Sequence, residues 1–492
     1  METSNNFNIA ELFFETCQKF PEKLAIIEEN RTITFQQLED EVKNTVAYFQ
    51  KKGIKKGDRI LVFVGMSTDL YRIVLAIFSI GAVAVFVDEW VSIKRLSLCC
   101  KVAKCKAIIA PLSYRIVGFF ISEIRKINVF LSHQKQLKNT NPISIEKTHL
   151  SDSALITFTT GSTGIPKAAD RSHEFLKAQF DALRPLLQGQ VSMTMLPVVL
   201  LLNLGSGVTS VIVKTKNFDA SKVLSQLQKH KVESIVASPY YLLELANVTI
   251  NETTFLHQII SGGAPIFSAD VQKILSAFTN ANFTIVYGST EAEPIAHCNA
   301  NEVVKNKNEY GLLIGKPDKT VTVKIIATEY HVAETSEVEL QKYELLSGQI
   351  GEIIVSGNAV NKTYIDNPKA VAENKIKTEK TVWHRTGDSG YLDENGHLFL
   401  TGRVAQIIRH KGKTHYPFVV ENQLKNIKGV IVGTLLLLNN KLILTLCTNH
   451  FFTENSLTDF EYDEIRYIKS FPFDPRHRSK IDYQRLMNLV CK

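Results

Sequence analysis

Between Leu155 and His173 the chain reads LITFTTGSTGIPKAADRSH, and this stretch gathers the groups that a phosphate needs. Gly161 and Gly164 let backbone N–H groups turn inward and approach an anion closely. The hydroxyls of Thr159, Thr160, Ser162 and Thr163 add donors, and Lys167 adds a positive charge. An apolar strand, Ala154 to Phe158, runs into the loop, so the polar run is held from a core behind it. The pattern is not the Gly-x4-Gly-Lys-Ser/Thr of a P-loop. The chain's Gly412-Lys413-Thr414 has Ile407 where the first glycine should stand, which disfavours a P-loop kinase.

Four further segments carry residues of similar kind. Ser261-Gly262-Gly263-Ala264-Pro265 follows the strand-like Gln258-Ile259-Ile260. Tyr287-Gly288-Ser289-Thr290-Glu291 follows Phe283 to Val286. Trp383-His384-Arg385-Thr386-Gly387-Asp388 leads to Gly402-Arg403. Pro475-Arg476-His477-Arg478-Ser479-Lys480-Ile481-Asp482 lies near the C-terminus. Taken singly, Glu291, Asp388, Arg403 and Lys480 would be ordinary surface charges.

Together with the loop at 160–167, these segments resemble, in order and spacing, the core motifs of the adenylate-forming superfamily. That group includes acyl-CoA synthetases, peptide-synthetase adenylation domains and luciferases. The resemblance spans nearly the whole chain, beginning at Ile33-Thr34-Phe35-Gln36-Gln37-Leu38 and Gly57-Asp58-Arg59. It implies ATP and Mg²⁺ as cofactors and a small carboxylic acid as substrate. Thr160, Gly161, Ser162, Thr163, Gly164 and Lys167 would hold the ATP phosphates. Gly262, Gly263 and Ala264 would line the adenine site beside Tyr287, and Asp388 with Arg403 would bind the ribose. Thr290, Glu291 and Lys480 would be catalytic, Glu291 also binding Mg²⁺. A carboxylate attacking an α-phosphorus brings two anions together, so a metal ion and a lysine are the groups the reaction needs. No general base is required, because the acid is already ionised near neutral pH.

These residues have to be positioned by strands and helices in alternation. Arg59 to Val64, Lys106 to Ala110, Val232 to Ala237 and Phe283 to Val286 read as strands buried on both faces. Phe35 to Lys51 reads as a helix with Leu38, Val42, Val46 and Phe49 on its apolar face. Ile73 to Val87 reads as a helix end, a turn at Gly81 and a strand rather than a membrane span. The run Gly387 to Gly396 looks rich in turns. Beyond it Val430 to Leu438 and Leu442 to Leu446 flank Asn439-Asn440, a hairpin signal, with a helix-like stretch at Val419 to Lys428. The fold class that follows is α/β. Residues 1–402 form a large domain of mixed β-sheets layered with helices, and residues 403–492 a small, mobile α+β lid domain carrying Lys480.

The chain departs from the superfamily pattern at three places. Ala168 replaces a glycine after Lys167. Ala405 stands at the hinge, where Asp or Lys is usual. The segment after Met195-Leu196-Pro197 is apolar, and the resemblance puts the acyl pocket there, at Val199, Leu200, Asn203 and Gly205. With no acid or base in that run, a fatty or other hydrophobic acid is favoured over an amino acid. The Trp383–Asp388 and Asp474–Lys480 segments also resemble one branch, the β-lactone synthetases of olefin biosynthesis, in which a β-hydroxyacyl adenylate closes on its own hydroxyl.

Three functions stay open: transfer of the acyl group to a thiol of coenzyme A or carrier-protein phosphopantetheine, lactone closure, and nucleotide binding without catalysis. An acyl carrier protein is a partner only of the first. Composition narrows the rest. The 492 residues exceed one core, and the net charge of +8 is spread along the chain, without the basic block or aromatic stripe of a nucleic-acid binder. Seven cysteines without metal spacing point to reduced, core-packed thiols in a cytoplasmic protein, with Cys99, Cys100 and Cys105 in an apolar stretch. The polar N-terminus carries no secretory signal, and no transmembrane segment is needed.

Overall fold

The computed structural model describes residues 5–87, 92–111, 114, 118, 120–138, 144–159, 166–248, 255–306, 310–474 and 480–491. The loop residues Thr160 to Gly164 and the segment 475–479 lie outside the described residues.

Two sheets build the large N-terminal part. The first has six strands, in spatial order Val129–Leu131, Ala107–Ile109, Arg59–Val62, Val83–Phe86, Ser153–Thr159 and Lys167–Ser172. Five run parallel and the last is antiparallel. Ile60, Leu61, Ala84, Val85, Ala107 and Ile108 are buried, as expected where helices cover both faces. Cys99 and Cys100 pack into the cluster beneath this sheet with Cys105 against it, so all three are core residues.

The second sheet has fourteen strands and changes character halfway across. Leu24–Glu28, Thr209–Ile212, Val191–Thr194, Ser234–Ala237, Gln258–Ser261 and Asn282–Ser289 lie side by side in parallel. The hairpin from Asn282–Ser289 to Ala292–Asn299 then turns the sheet antiparallel. It continues through Leu312–Pro317, Leu398–Arg403, Val382–Leu392, Gly351–Gly357 and Val321–Ile326. Glu291 sits in the turn where the change occurs.

Local signals explain the helices. Phe35–Lys51 starts at a capping box between Thr34 and Gln37 and buries Leu38, Val42, Val46 and Phe49. The apolar run after Leu196 is the helix Pro197–Ser206, opened by proline and closed by Gly207 in the left-handed region at φ 73°. The stretch Gly387 to Gly396 corrects its sequence reading. Most of it belongs to the strand Val382–Leu392, with a turn only at its end. Gly390 is there because a Cβ would lie 2.1 Å from the Phe399 carbonyl oxygen of the neighbouring strand.

After Arg403 a 3-10 turn, Val404–Gln406, leads to two small sheets. One pairs Ile408–His410 with Lys413–His415. The other joins Val430–Leu438 and Lys441–Thr448 through Asn439 and Asn440, both at positive φ (48° and 60°), and adds Glu464–Tyr467 in parallel. The helices Pro417–Leu424 and Tyr483–Val490 complete this small α+β lobe, which has apolar clusters of its own. It meets the large lobe through Phe418 against Phe267 and Lys425 with Asp270 (3.4 Å). Among the described residues no helix is long and apolar enough to cross a membrane.

Candidate active site

The strands Ser153–Thr159 and Lys167–Ser172 are antiparallel neighbours, with Thr159 opposite Lys167. The glycine-rich run therefore leaves and re-enters the sheet at adjacent positions, and these two residues form its mouth. Thr159 Oγ1 donates to Glu291 Oε1 at 3.1 Å, and Lys167 Nζ donates to Asn374 Oδ1 at 2.7 Å. Burial holds the Lys167 ammonium below the usual lysine range, against the pull of Glu291. Ala168 is fully buried within its strand and has no positive φ, so a glycine is not required there.

Glu291 is buried and held from several sides. The Tyr364 hydroxyl donates to its Oε1 at 3.1 Å, and its carbonyl accepts from Asn361 N at 2.6 Å. Arg171 donates twice to the Thr290 carbonyl, at 3.1 and 2.8 Å, which fixes the turn. A carboxylate at the mouth of the glycine-rich run suits a hard cation, which takes one or two carboxylates along with waters and phosphate oxygens. Among the described residues no cluster of three or more His, Cys, Asp or Glu could hold a metal unaided.

Behind Glu291 lies a buried cation. Lys375 is 1% exposed, donates to the Asn361 carbonyl and sits 5.1 Å from the centre of the Tyr364 ring. Burial pushes its ammonium down to about 7, with Glu291 resisting and Lys167 adding to the fall. His384 faces it across the strands and is buried too, its Nδ1 3.2 Å from the Asn374 carbonyl. Burial first, then Lys375, keeps the imidazole well below its usual range, so it is neutral.

A third group lies at Asp388. The Tyr287 hydroxyl donates to its Oδ2 at 2.6 Å and Arg403 Nη1 to its Oδ1 at 2.7 Å. Arg403 also donates to the Thr386 carbonyl at 3.1 Å. Asp388 and Arg403 are register partners on adjacent strands, so the pair is set by the sheet itself. Burial, reinforced by Asp388, lifts the Tyr287 phenol well above its usual range, and Asp388 raises Arg403 further. Tyr287 is therefore a neutral donor and Arg403 a fixed cation. Beside them, a Cβ on Gly262 would come within 2.9 Å of the Val286 carbonyl oxygen, and Gly263 has φ 81°. Neither position tolerates a side chain, and Ala264 follows them half-buried.

The structure brings Lys167, Thr290 and Glu291 together at the loop mouth, and Tyr287, Asp388 and Arg403 at one edge. It spreads the expected acyl-pocket residues. Val199 joins Val236, Ile260 and Val286 near Gly262, and Gly205 lines a cavity. Leu200 points into the N-terminal core, and Asn203 donates to Ser210 Oγ at 3.0 Å, fully buried. Lys480 is exposed on the small lobe and Ala405 is exposed in the connecting turn. Sequence reasoning missed Asn361, Tyr364, Asn374 and Lys375. None lies in a motif, and Lys375-Ile376-Lys377 reads as a solvated strand rather than as one with a buried ammonium.

Comparison with known proteins agrees with this geometry. The sequence profile of the AMP-binding enzyme family matches residues 13–365. The chain belongs to that family and is an AMP-forming ligase with a large N-terminal and a small C-terminal domain. It is 27% identical over 429 residues to YdaB of Bacillus subtilis (strain 168), named by inference as an acyl-CoA ligase, covering 82% of this chain and 80% of that one. It is also 27% identical over 434 residues to the olefin β-lactone synthetase of Stenotrophomonas maltophilia (strain K279a), covering 81% and 77%. Among solved structures, O-succinylbenzoate coenzyme A synthetase from Bacillus subtilis in complex with AMP superposes with a TM-score of 0.80, at 21% identity and 98% coverage of each chain.

Proposed function

We propose that this ligase activates a hydrophobic carboxylic acid with ATP and then passes the acyl group to a thiol, of coenzyme A or of carrier-protein phosphopantetheine. The observation that carries the reading is the mouth of the glycine-rich loop opening on Glu291, one hairpin away from Tyr287, Asp388 and Arg403. In this reading Thr160, Gly161, Ser162, Thr163 and Gly164 with Lys167 cradle the phosphates. Gly262, Gly263 and Ala264 flank the adenine, and Asp388 accepts from the ribose hydroxyls with Arg403 beside it. Glu291 is the residue that would hold Mg²⁺, which supplies charge neutralisation on the phosphates when bound.

The acid's carboxylate oxygen forms a bond to the α-phosphorus while the bond to the β-phosphate oxygen breaks, and pyrophosphate leaves. Lys480 offsets the charge between the two anions, and Lys167 follows the departing pyrophosphate. The chain divides at residues 402 and 403, and Ala405 lets the small lobe reorient between half-reactions. The small-lobe backbone gives Lys480 a firm base. Its carbonyl accepts from Asp474 N at 2.8 Å, and Ile481 bridges to Phe473.

A second reading is lactone closure, favoured by the likeness to the Stenotrophomonas maltophilia synthetase and by the buried His384 of Trp383-His384-Arg385. Trapping the activated acid with hydroxylamine separates the two. Thiol transfer predicts coenzyme A-dependent product from simple acids. Lactone closure predicts coenzyme A-independent product from β-hydroxy acids alone. No pyrophosphate release with any acid offered would contradict both and favour a nucleotide-binding relative without catalysis.

A further inference from the structure

Outside the motifs, the segment 360–365 makes bridges to two strands beside Glu291. Val360 bridges to Ala292, the first residue of the strand after Glu291, and Tyr364 bridges to Ala169 in the strand that returns from the glycine-rich run. Asn361 Nδ2 donates to the Asp170 carbonyl at 2.6 Å, and Ile365 N donates to the Ala168 carbonyl at 3.0 Å. Two residues of this segment grip Glu291 at different points. Asn361 N donates to its main-chain carbonyl at 2.6 Å, and the Tyr364 hydroxyl donates to its Oε1 at 3.1 Å.

Lys375 joins those two grips. Its Nζ donates to the Asn361 carbonyl and stands 5.1 Å from the centre of the Tyr364 ring, so one side chain meets both residues that hold Glu291. The same ring lies 5.8 Å from Nζ of Lys167, at the mouth of the run, and Lys167 donates to Asn374, the residue before Lys375. Lys375 is among the largest fully buried side chains and has His384 opposite it in the sheet. An ammonium in such a place costs more than a well-packed apolar side chain of similar volume. Packing alone would be met as well by methionine. What the lysine adds is a donor and a charge directed at Asn361 and Tyr364.

We propose that Lys375 is a positioning residue: by holding Asn361 and Tyr364 it presets Glu291 to receive a divalent cation together with ATP. It acts through those two residues, from inside the core. The proposal rests on the reading of Glu291 as the residue for Mg²⁺ and adds the group that orients it. Outer partners of a metal ligand commonly set metal affinity by about tenfold or more.

The test measures calorimetric affinity of the full chain for ATP, once with Mg²⁺ and once with EDTA, alongside the melting temperature. Lys375→Met should weaken binding of ATP with Mg²⁺ by about tenfold. Its affinity in EDTA should match wild type, and its melting temperature should stay level or rise, because an apolar side chain replaces a buried charge. Lys375→Leu carries the same test if Lys375→Met does not fold. Glu291→Gln is measured beside them and should lose the Mg²⁺-dependent part of the affinity. If Glu291→Gln weakens binding with Mg²⁺ while a folded Lys375 variant does not, the positioning role is overturned and the cation at Glu291 stands. Equal losses with Mg²⁺ and with EDTA in the Lys375 variant would also overturn it, since that is what a purely structural side chain would give. Wild-type affinity for ATP with Mg²⁺ in Glu291→Gln would overturn both.

Discussion

Around Asp388 and around Lys480 the molecule is built in opposite ways. Asp388 takes bonds from the half-buried Tyr287 and from Arg403, its register partner on the adjacent strand. Lys480 has an exposed side chain on an anchored backbone. Three residues on, Tyr483 donates to the buried Glu421, which also accepts from Thr434 at 2.8 Å, and this ties the helix Tyr483–Val490 to the helix Pro417–Leu424. A nucleotide site gains from groups that do not move on binding, because preorganised charge costs no reorganisation in the transition state. A lysine carried by a second lobe would gain from a firm backbone base. In the proposed reading, the contrast teaches that the large lobe would serve binding and the small one delivery.

The contrast can be broken most strongly at the delivery end. Lys480→Ala should slow acid-dependent adenylation by about a hundredfold or more, as for loss of a charged transition-state contact, with the melting temperature unchanged. Pyrophosphate exchange at the wild-type rate would remove Lys480 from the site. At the binding end, Asp388→Ala should act on KM for ATP more than on kcat, raising it by about thirtyfold, because hydrogen bonds to a charged group are lost. An effect confined to kcat would count against a ribose contact. Glu291→Gln should raise the Mg²⁺ concentration for half-maximal rate by at least about tenfold, since losing even an outer partner of a metal ligand costs that much. Superimposable metal titrations would contradict it.

The smallest effects separate the lobes by pH. Lys375, in the large lobe, loses its proton at about 7 when folded but only in the ordinary lysine range when unfolded. Between those limits the unfolded chain binds a proton the folded one lacks, so stability rises with pH above about 7. Glu421, in the small lobe, is pushed up to about 7 by burial. From the usual carboxylate range to about 7 the folded state holds a proton that the unfolded state has released, so stability falls as pH rises through that window. Thermal melts of Lys375→Met and Glu421→Gln from about pH 5 to about pH 9 should lose the rise and the fall respectively. Curves parallel to wild type would contradict these assignments.

Much of this was legible in the sequence, and what was not has a physical reason. The helix Phe35–Lys51 follows from its period and cap, and the Asn439-Asn440 turn from the tolerance of asparagine for positive φ. Motif residues such as Glu291, Asp388 and Arg403 stood out because they cluster with glycine and threonine at strand ends. Tyr364 and Lys375 did not, since they reach Glu291 only when distant strands fold back beside the hairpin. The apolar run at 198–207 showed a greasy segment, but neither the helix it forms nor which of its residues face inward. Rotation about the helix axis put Leu200 and Asn203 inward and left Val198, Leu202 and Gly205 facing the cavity.

Acid-dependent release of pyrophosphate from ATP by the purified full chain tests the central claim most directly. Release that needs both Mg²⁺ and a hydrophobic carboxylic acid, with AMP formed on hydroxylamine trapping, is the predicted result. ATP bound but never cleaved, whichever acid is offered, would contradict it.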